Sequence, residues 1–190
     1  MQAKGAFVQL YPVWRNNKIS TRTKLRIFRS NVKAVLLYGS ETCKVTKITT
    51  SKLQVFVNHC LRRILNIHWP EVISNEELWR RAEEIEISTQ IKRQKWNWIG
   101  HTLRKGEDTI EREVMEWNPQ GQRKRGRPKQ TWRRSVHNEA LREGKSWNEV
   151  KQLARNRIRW RLFLMPYVRK GITGYDDEFP FPGKAAGAHS

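Results

Sequence analysis

The residues best suited to catalysis in this sequence are two adjacent aspartates and a cysteine beside a histidine. Asp176 and Asp177 directly follow Tyr175, whereas polymerases that hold metal ions with an aromatic–Asp–Asp turn place one further residue in between. Cys60 follows His59, but no CxxC or CxxxxH spacing of a zinc site is present. The sequence therefore predicts no catalytic and no metal-binding residues, and Cys60 is interpreted as a small buried side chain on a helix.

Basic residues carry the other recognisable chemistry, most densely at residues 122–134, which read QRKRGRPKQTWRR. Seven of these thirteen residues are Lys or Arg, and none is acidic. Arg125-Gly126-Arg127-Pro128 matches the core of an AT-hook, in which glycine lets an extended backbone enter the minor groove and the arginines follow its walls. The same residues match a nuclear-localisation pattern. Direct nucleic-acid contact, a nuclear address and an inert linker all remain open.

A second group of cations shares a predicted helix with two tryptophans. At 100° per residue, Arg93, Trp96 and Arg104 can lie on one face of this helix. One tryptophan is expected in the core, and the other can stack on an arginine or on a base. The candidate nucleic-acid contacts on this helix are Lys92, Arg93, Lys95, Trp96, Arg104 and Lys105.

The elements that must position these residues are predicted to be helices, because apolar residues recur at three- and four-residue steps along most of the chain. Ser20 is the predicted N-cap of one helix. Capping boxes at Ser74–Glu77 and Ser146–Glu149 open two more. Ser88 or Thr89 is the predicted cap of the tryptophan-containing helix.

Helix ends are also marked. Gly39 is predicted to end the helix that follows Ser20, in the left-handed conformation. A short helix is predicted near residues 110–117, and one continuous helix from residue 147 through 163. The Gly- and Pro-rich residues 166–190 are predicted to be disordered. No alternating β pattern is present, so the predicted fold class is all-α.

Composition favours a polyanionic partner. The 190 residues contain 38 Lys or Arg against 18 Asp or Glu, for a formal net charge of +20. Such a surface attracts nucleic acid, with an anionic membrane face as the alternative. The sequence contains no apolar run of membrane-spanning length, and no signal peptide is expected. Two cysteines make no disulfide framework, so a reducing compartment is expected.

Five segments occur in order: KLRIFRSNVKAVLLYGSET, LRRILNIHWPEVISNEELW, KWNWIGHTLRK, EWNPQGQRKRGRPKQTWRR and SWNEVKQLARNRIRWR. Together they resemble the C-terminal part of the endonuclease–reverse transcriptases of non-LTR retrotransposons, of the RTE-like kind. The resemblance runs from about residue 3 to 161. Cys43 departs from it, because that family usually has Trp at this position, and this suggests a degenerate or truncated copy.

The resemblance implies an organisation and a role. Residues 1–65 would form a small thumb-like helical bundle, and residues 66–165 a basic helical region with a loop at 118–130. The polymerase palm and the endonuclease domain of the family lie upstream of this region. A nucleic-acid-binding chain without catalytic residues of its own, and without a cofactor, is therefore expected.

The resemblance also implies partners: an RNA–DNA duplex or target DNA, and the palm domain of the parent protein. No membrane partner and no small-molecule substrate is expected, and the localisation would be nuclear with a cytoplasmic ribonucleoprotein stage. Thumb contacts to the template–primer would come from Lys24, Arg26, Arg29, Lys33, Arg62 and Arg63. In addition to the residues of the helix at 92–105, contacts to RNA or target DNA would come from Arg123, Lys124, Arg125, Gly126, Arg127, Lys129, Arg133 and Arg134.

Three alternatives stay open at this point. The chain can be a chromatin protein that uses its AT-hook, which predicts a preference for A·T duplex. It can be an active nuclease or polymerase, although no carboxylate cluster for metal ions is evident. It can also be a degenerate retroelement product without function.

Overall fold

The computed structural model describes residues 2–43, 45–117 and 131–165. Within those ranges the backbone forms helices and turns and no β-strand, which confirms the all-α prediction. The loop predicted at 118–130 and the tail 166–190 lie outside the described residues. The helices are α1 (Gln2–Gln9), α2 (Tyr11–Arg15), α3 (Thr21–Ile27), a π-helical segment (Phe28–Lys33), α4 (Ala34–Leu37), α5 (Lys47–Ile64), α6 (Asn75–Ala82), α7 (Ile87–Leu103), α8 (Ile110–Glu116), α9 (Trp132–Arg142), α10 (Trp147–Arg155) and α11 (Arg157–Leu164).

A first hydrophobic core forms where α1 to α6 and the start of α7 pack together. Phe28 and Leu61 are completely buried in it. Phe7 stacks on Trp14 with 5.2 Å between ring centroids, and the Trp14 indole N–H donates to the Phe7 carbonyl at 2.8 Å. Cys60 is also completely buried, which confirms its interpretation as a core residue. Burial raises the pKa of the Cys60 thiol to about 12, so this side chain stays protonated and unreactive at neutral pH.

A second hydrophobic core forms from the rest of α7 with α8 to α11 and is rich in aromatic residues. Trp96 lies at its centre, with Phe163 edge-on to it at 5.5 Å and Trp160 tilted against it at 6.2 Å between ring centroids. The Trp160 indole packs directly against α7 at Gly100, where a side chain on the helix would collide with the ring. Aromatic rings of this size bury enough area to supply a core in a sequence with few aliphatic residues.

Helix α7 belongs to both cores. Its first residues, Ile87 and Ile91, are buried in the first core, and Trp96, Ile99 and Leu103 are buried in the second. The boundary between the two hydrophobic cores therefore lies within α7, between Ile91 and Trp96. The predicted thumb-like segment, by contrast, ends at residue 65. Division of the chain at that residue stays a prediction.

The local capping signals act largely as predicted. The Ser20 hydroxyl accepts a hydrogen bond from the Thr23 amide at 3.2 Å, and Gly39 ends the helical run with φ +70°. The Ser146–Glu149 capping box is complete, since each side chain binds the backbone of the other residue. The short helix near 110–117 is also present, as α8.

Two helix boundaries differ from the predictions, one because of a tertiary contact and the other because of a local cap. Helix α7 begins at Ile87, before Ser88 and Thr89, since the Gln54 side chain in α5 accepts a hydrogen bond from the Ile87 amide at 2.7 Å. The predicted continuous helix from 147 to 163 is broken at Asn156, whose side chain caps α11. This break redirects the chain and lets α11 pack its aromatic residues into the second core.

The capping box predicted at Ser74 is only half formed. The Ser74 hydroxyl accepts from the Glu77 amide, but the Glu77 carboxylate receives hydrogen bonds from Arg80 at 2.7 Å and Arg81 at 2.8 Å. Two guanidinium groups satisfy this carboxylate better than one backbone amide does.

We expect the Glu77 carboxyl to titrate far below ordinary glutamates. Hydrogen bonds from Arg80 and then Arg81 lower its pKa from 4.5 to about 2. Because the folded pKa lies below the unfolded one, the stabilisation is complete above about pH 4.5 and is lost as pH falls through about 2. A carbon-13 NMR titration of the carboxyl groups measures it. In an Arg80→Gln/Arg81→Gln variant the pKa should return towards 4.5, and an unchanged value would contradict the assignment.

Candidate nucleic-acid interface

The cations predicted in the first half are split between the interior and the surface. Lys24 is buried, and its ammonium group donates to the Trp14 carbonyl at 2.9 Å, which ties α3 to the end of α2. Arg26 is exposed on α3, and no carboxylate of the described residues lies within ion-pairing distance of it. Of these two, only Arg26 presents its charge to a partner at the surface.

Arg29 and Lys33 converge on one buried carboxylate, that of Glu84. The Arg29 Nε atom lies 2.8 Å from Glu84 Oε1 and one of its Nη atoms donates to the Ala82 carbonyl, while Lys33 Nζ pairs with Glu84 Oε2. The Glu84 side chain is 3% exposed and that of Lys33 is 5% exposed. Burial lowers the pKa of Lys33 despite the adjacent carboxylate. This arrangement locks the π-helical segment to the α6–α7 connection, so Lys33 does not face a nucleic acid.

The end of α5 places its two arginines in different surroundings. Arg62 donates to the Asn75 side chain at 2.9 Å and thereby joins α5 to α6. Arg63 is exposed, with its guanidinium 5.0 Å from the centre of the Tyr11 ring. Stacking uses the face of the guanidinium and leaves its in-plane N–H donors available to a ligand.

Helix α7 separates its predicted contacts in the same way. Lys92 is exposed and Arg93 is half-buried. Lys95 is 8% exposed and pairs with Glu139 of α9 at 2.6 Å. Trp96 is completely buried, so neither face of its ring can receive a base; Trp98 is half-buried against Trp132. Trp96 is therefore a core residue here, which corrects its placement on a nucleic-acid-binding face.

The end of α7 brings together cations that are distant in sequence. Arg104 donates to the Ala154 carbonyl at 3.2 Å, and Lys105 pairs with Glu111 at 2.6 Å. Burial and then the nearby charge of Arg157 lower the pKa of Arg104. Burial also lowers the pKa of His101, with further contributions from Lys105, Arg104 and Arg157.

We call Arg104, Lys105 and Arg157 the α7–α11 cation cluster; His101 lies beside them, and its lowered pKa keeps it neutral at neutral pH. Arg157 was not among the predicted contacts. Its signal in the sequence is the run RNRIRWR at residues 155–161, where arginines alternate with other residues. Glu111 offsets the charge of Lys105, whereas the like charges of Arg104 and Arg157 disfavour each other, so an anion would be attracted to these two guanidinium groups.

The predicted contacts around the basic stretch are only partly described. Arg133 is half-buried and donates to the Glu116 carbonyl at 2.7 Å, whereas Arg134 is exposed on α9. The other predicted contacts of the stretch lie outside the described residues: Arg123, Lys124, Arg125, Gly126, Arg127 and Lys129. Tyr175-Asp176-Asp177 also lies outside them.

Among residues 2–43, 45–117 and 131–165, no group of three or more His, Cys, Asp or Glu side chains is arranged to hold a metal ion. None of the helices in those ranges combines the length and apolar character needed to cross a bilayer.

Comparison with known proteins gives one short match. A family described as a domain of unknown function (DUF6451) matches residues 6–38, which run from the second half of α1 to the residue after α4. No curated protein and no solved structure is significantly similar to the chain.

Proposed function

We propose that this chain is the nucleic-acid-binding C-terminal portion of a reverse transcriptase of the non-LTR, RTE-like kind. In that role it holds the template–primer and the target DNA and contributes no polymerase or endonuclease residues of its own. The proposal combines the resemblance of the five sequence segments with an all-α fold that carries exposed cations in both halves.

The observation that carries the proposal is the excess of positive charge. If each of the 18 acidic residues neutralised one of the 38 basic residues, 20 cations would still have no carboxylate. Several acidic residues are already committed to internal pairs, as Glu84 and Glu139 are. Arg26, Lys92 and Arg134 are exposed and make no ion pair within the part of the chain that the structure describes. A polyanion with closely spaced charges is the partner that neutralises such a surface.

We expect the affinity for duplex DNA to fall steeply with salt, and the basic stretch to contribute to this dependence. Each phosphate contact contributes about 0.9 to the slope of log K against log salt. Replacing Arg123, Lys124, Arg125 and Arg127 together with glutamine should therefore reduce the slope by up to about 3.6 units. Fluorescence anisotropy of a labelled duplex over a salt series measures it.

The control for this experiment neutralises Arg80 and Arg81, which already pair with Glu77 and should change the slope little. An unchanged slope in the fourfold variant would contradict phosphate contact by the basic stretch. Absence of any salt-dependent binding by the unmodified chain would overturn the proposed function itself.

A chromatin protein of the AT-hook type is the second candidate, favoured by Arg125-Gly126-Arg127-Pro128. Minor-groove insertion by this motif requires a narrow A·T tract, whereas phosphate contact does not. Competition of A·T duplex, G·C duplex and RNA for the bound probe separates the two. A strong preference for A·T duplex supports the AT-hook, and similar competition by all three supports the proposed function.

A further inference from the structure

An open groove of about 590 Å³ lies between the residues that follow α2 and the C-terminal end of α5. Its basic lining residues are Arg15 at the end of α2, Lys24 on α3, and Arg63 and His68 at and beyond the end of α5. Asn17, Thr21 and Asn66 add neutral polar groups to the wall, and no acidic residue lines the groove.

The groove is free of acids because of the sequence that builds it. Residues 1–70 contain 13 Lys or Arg and a single acidic residue, Glu41, which is not part of the lining. The end of α5 would repel an anion through its free carbonyls, but two of these are occupied. The Leu65 and Ile67 amides donate to the Leu61 and Arg62 carbonyls, each at 2.9 Å.

Two arginines of the groove are held in place by one aromatic ring. The guanidinium of Arg15 lies 5.3 Å from the centre of the Tyr11 ring, and that of Arg63 lies 5.0 Å from it. Both side chains are exposed, and neither makes an ion pair among the described residues. Holding two guanidinium groups in position before binding lowers the entropic cost of gripping a phosphate.

An exposed aromatic side chain follows the groove directly in sequence. Trp69, next to the lining residue His68, is 88% exposed. A tryptophan left in water is a platform on which an unpaired base can stack, and every base offers a ring face to it. A paired base inside a duplex is already stacked on its neighbours and cannot use such a platform.

We infer that this groove is a binding site for single-stranded nucleic acid. A backbone phosphate contacts Arg15 and Arg63, and an unpaired base stacks on Trp69. The inference rests on the proposed function, because it assigns one part of the nucleic-acid contact to a particular surface. It extends that function by naming the single strand as the form that this surface selects.

The experiment measures binding of the full chain to a labelled 12-nucleotide single strand, as DNA and as RNA, and to the matched DNA duplex. Replacing Arg15 and Arg63 with glutamine should weaken single-strand binding by about tenfold and reduce its salt slope by about 0.7, because both arginines contact the same phosphate. Trp69→Ala should weaken single-strand binding by about tenfold and leave duplex binding within about twofold, whereas Trp69→Phe should retain most of the affinity because it keeps a ring.

The matched control is Lys47→Gln/Lys52→Gln, which removes the same charge from exposed positions nearer the start of α5. This variant should bind the single strand within about twofold of the unmodified chain. Because the side chains of Arg15, Arg63 and Trp69 are exposed, the circular dichroism spectra of their variants should match that of the unmodified chain.

Three results would overturn the inference. In the first, Arg15→Gln/Arg63→Gln and the control lose affinity equally, which would mean that only total charge matters. In the second, Trp69→Ala weakens single-strand and duplex binding alike. Either result leaves the proposed function standing, since nucleic acid is still bound. In the third, the unmodified chain binds none of the probes, which overturns the proposed function as well.

Discussion

Replacing Glu84 with glutamine is expected to lower the free energy of unfolding by about 3–5 kcal/mol, because the loss of one partner leaves a buried charge uncompensated. Glu84 is 3% exposed and receives both Arg29 and Lys33. Glutamine retains the size of the side chain but removes the charge, so the ammonium group of Lys33 must remain buried beside a neutral amide, lose its proton or move to water. Movement to water would disturb the π-helical segment that carries it.

Urea denaturation followed by circular dichroism measures this change. In a Lys33→Met background the same Glu84→Gln substitution should cost at least about 1 kcal/mol less, because the buried ammonium is no longer present. Glu71→Gln is the surface control. Glu71 and its partner Arg81 are both exposed, and such pairs contribute about 1 kcal/mol or less. Equal losses of unfolding free energy in Glu84→Gln and Glu71→Gln would contradict a stabilising buried ion pair between Glu84 and Lys33.

The second large effect is expected at Gly100, where alanine should destabilise the protein by about 2–3 kcal/mol through overpacking. A Cβ atom at this position would lie 2.2 Å from Nε1 and 2.3 Å from Cε2 of Trp160. An indole ring is rigid, and this one is held between α7 and Phe163, 5.4 Å away between ring centroids. The ring or the helix must therefore shift.

Gly5 provides the matched control for Gly100. It lies inside α1, and a Cβ atom there would meet no atom within 4 Å. Gly5→Ala should therefore raise stability by up to about 1 kcal/mol through helix propensity. Thermal unfolding of both variants checks the contrast. A Gly100→Ala variant as stable as the unmodified chain would show that α11 can move away from α7 at little cost.

The parts of the fold that were predictable from sequence are those governed by near neighbours. Ser20, Gly39 and the Ser146–Glu149 box act through contacts within four residues, so their residue types suffice to locate helix ends. The position of Cys60 on an apolar stripe likewise follows from helical periodicity. The start of α7 was not predictable, because its first amide is satisfied by Gln54, 33 residues earlier in the chain.

The candidate contacts were harder to predict, because sequence alone does not say which cations meet a carboxylate after folding. Lys33 and Glu84 are 51 residues apart, and Lys95 and Glu139 are 44 apart. In the sequence, nothing distinguishes the buried Lys33 and Lys95 from Arg26 and Lys92, which are exposed in the folded chain. Periodicity also did not decide which tryptophan of α7 enters the core. That depends on where α11 packs, and the break at Asn156 determines its direction.

The continuity of α7 through both cores has a geometric consequence. Its 17 residues form a stiff rod of about 26 Å at 1.5 Å per residue. Turning one core relative to the other would require bending this rod or breaking its backbone hydrogen bonds, so α7 acts as a stiff spacer between the two cores.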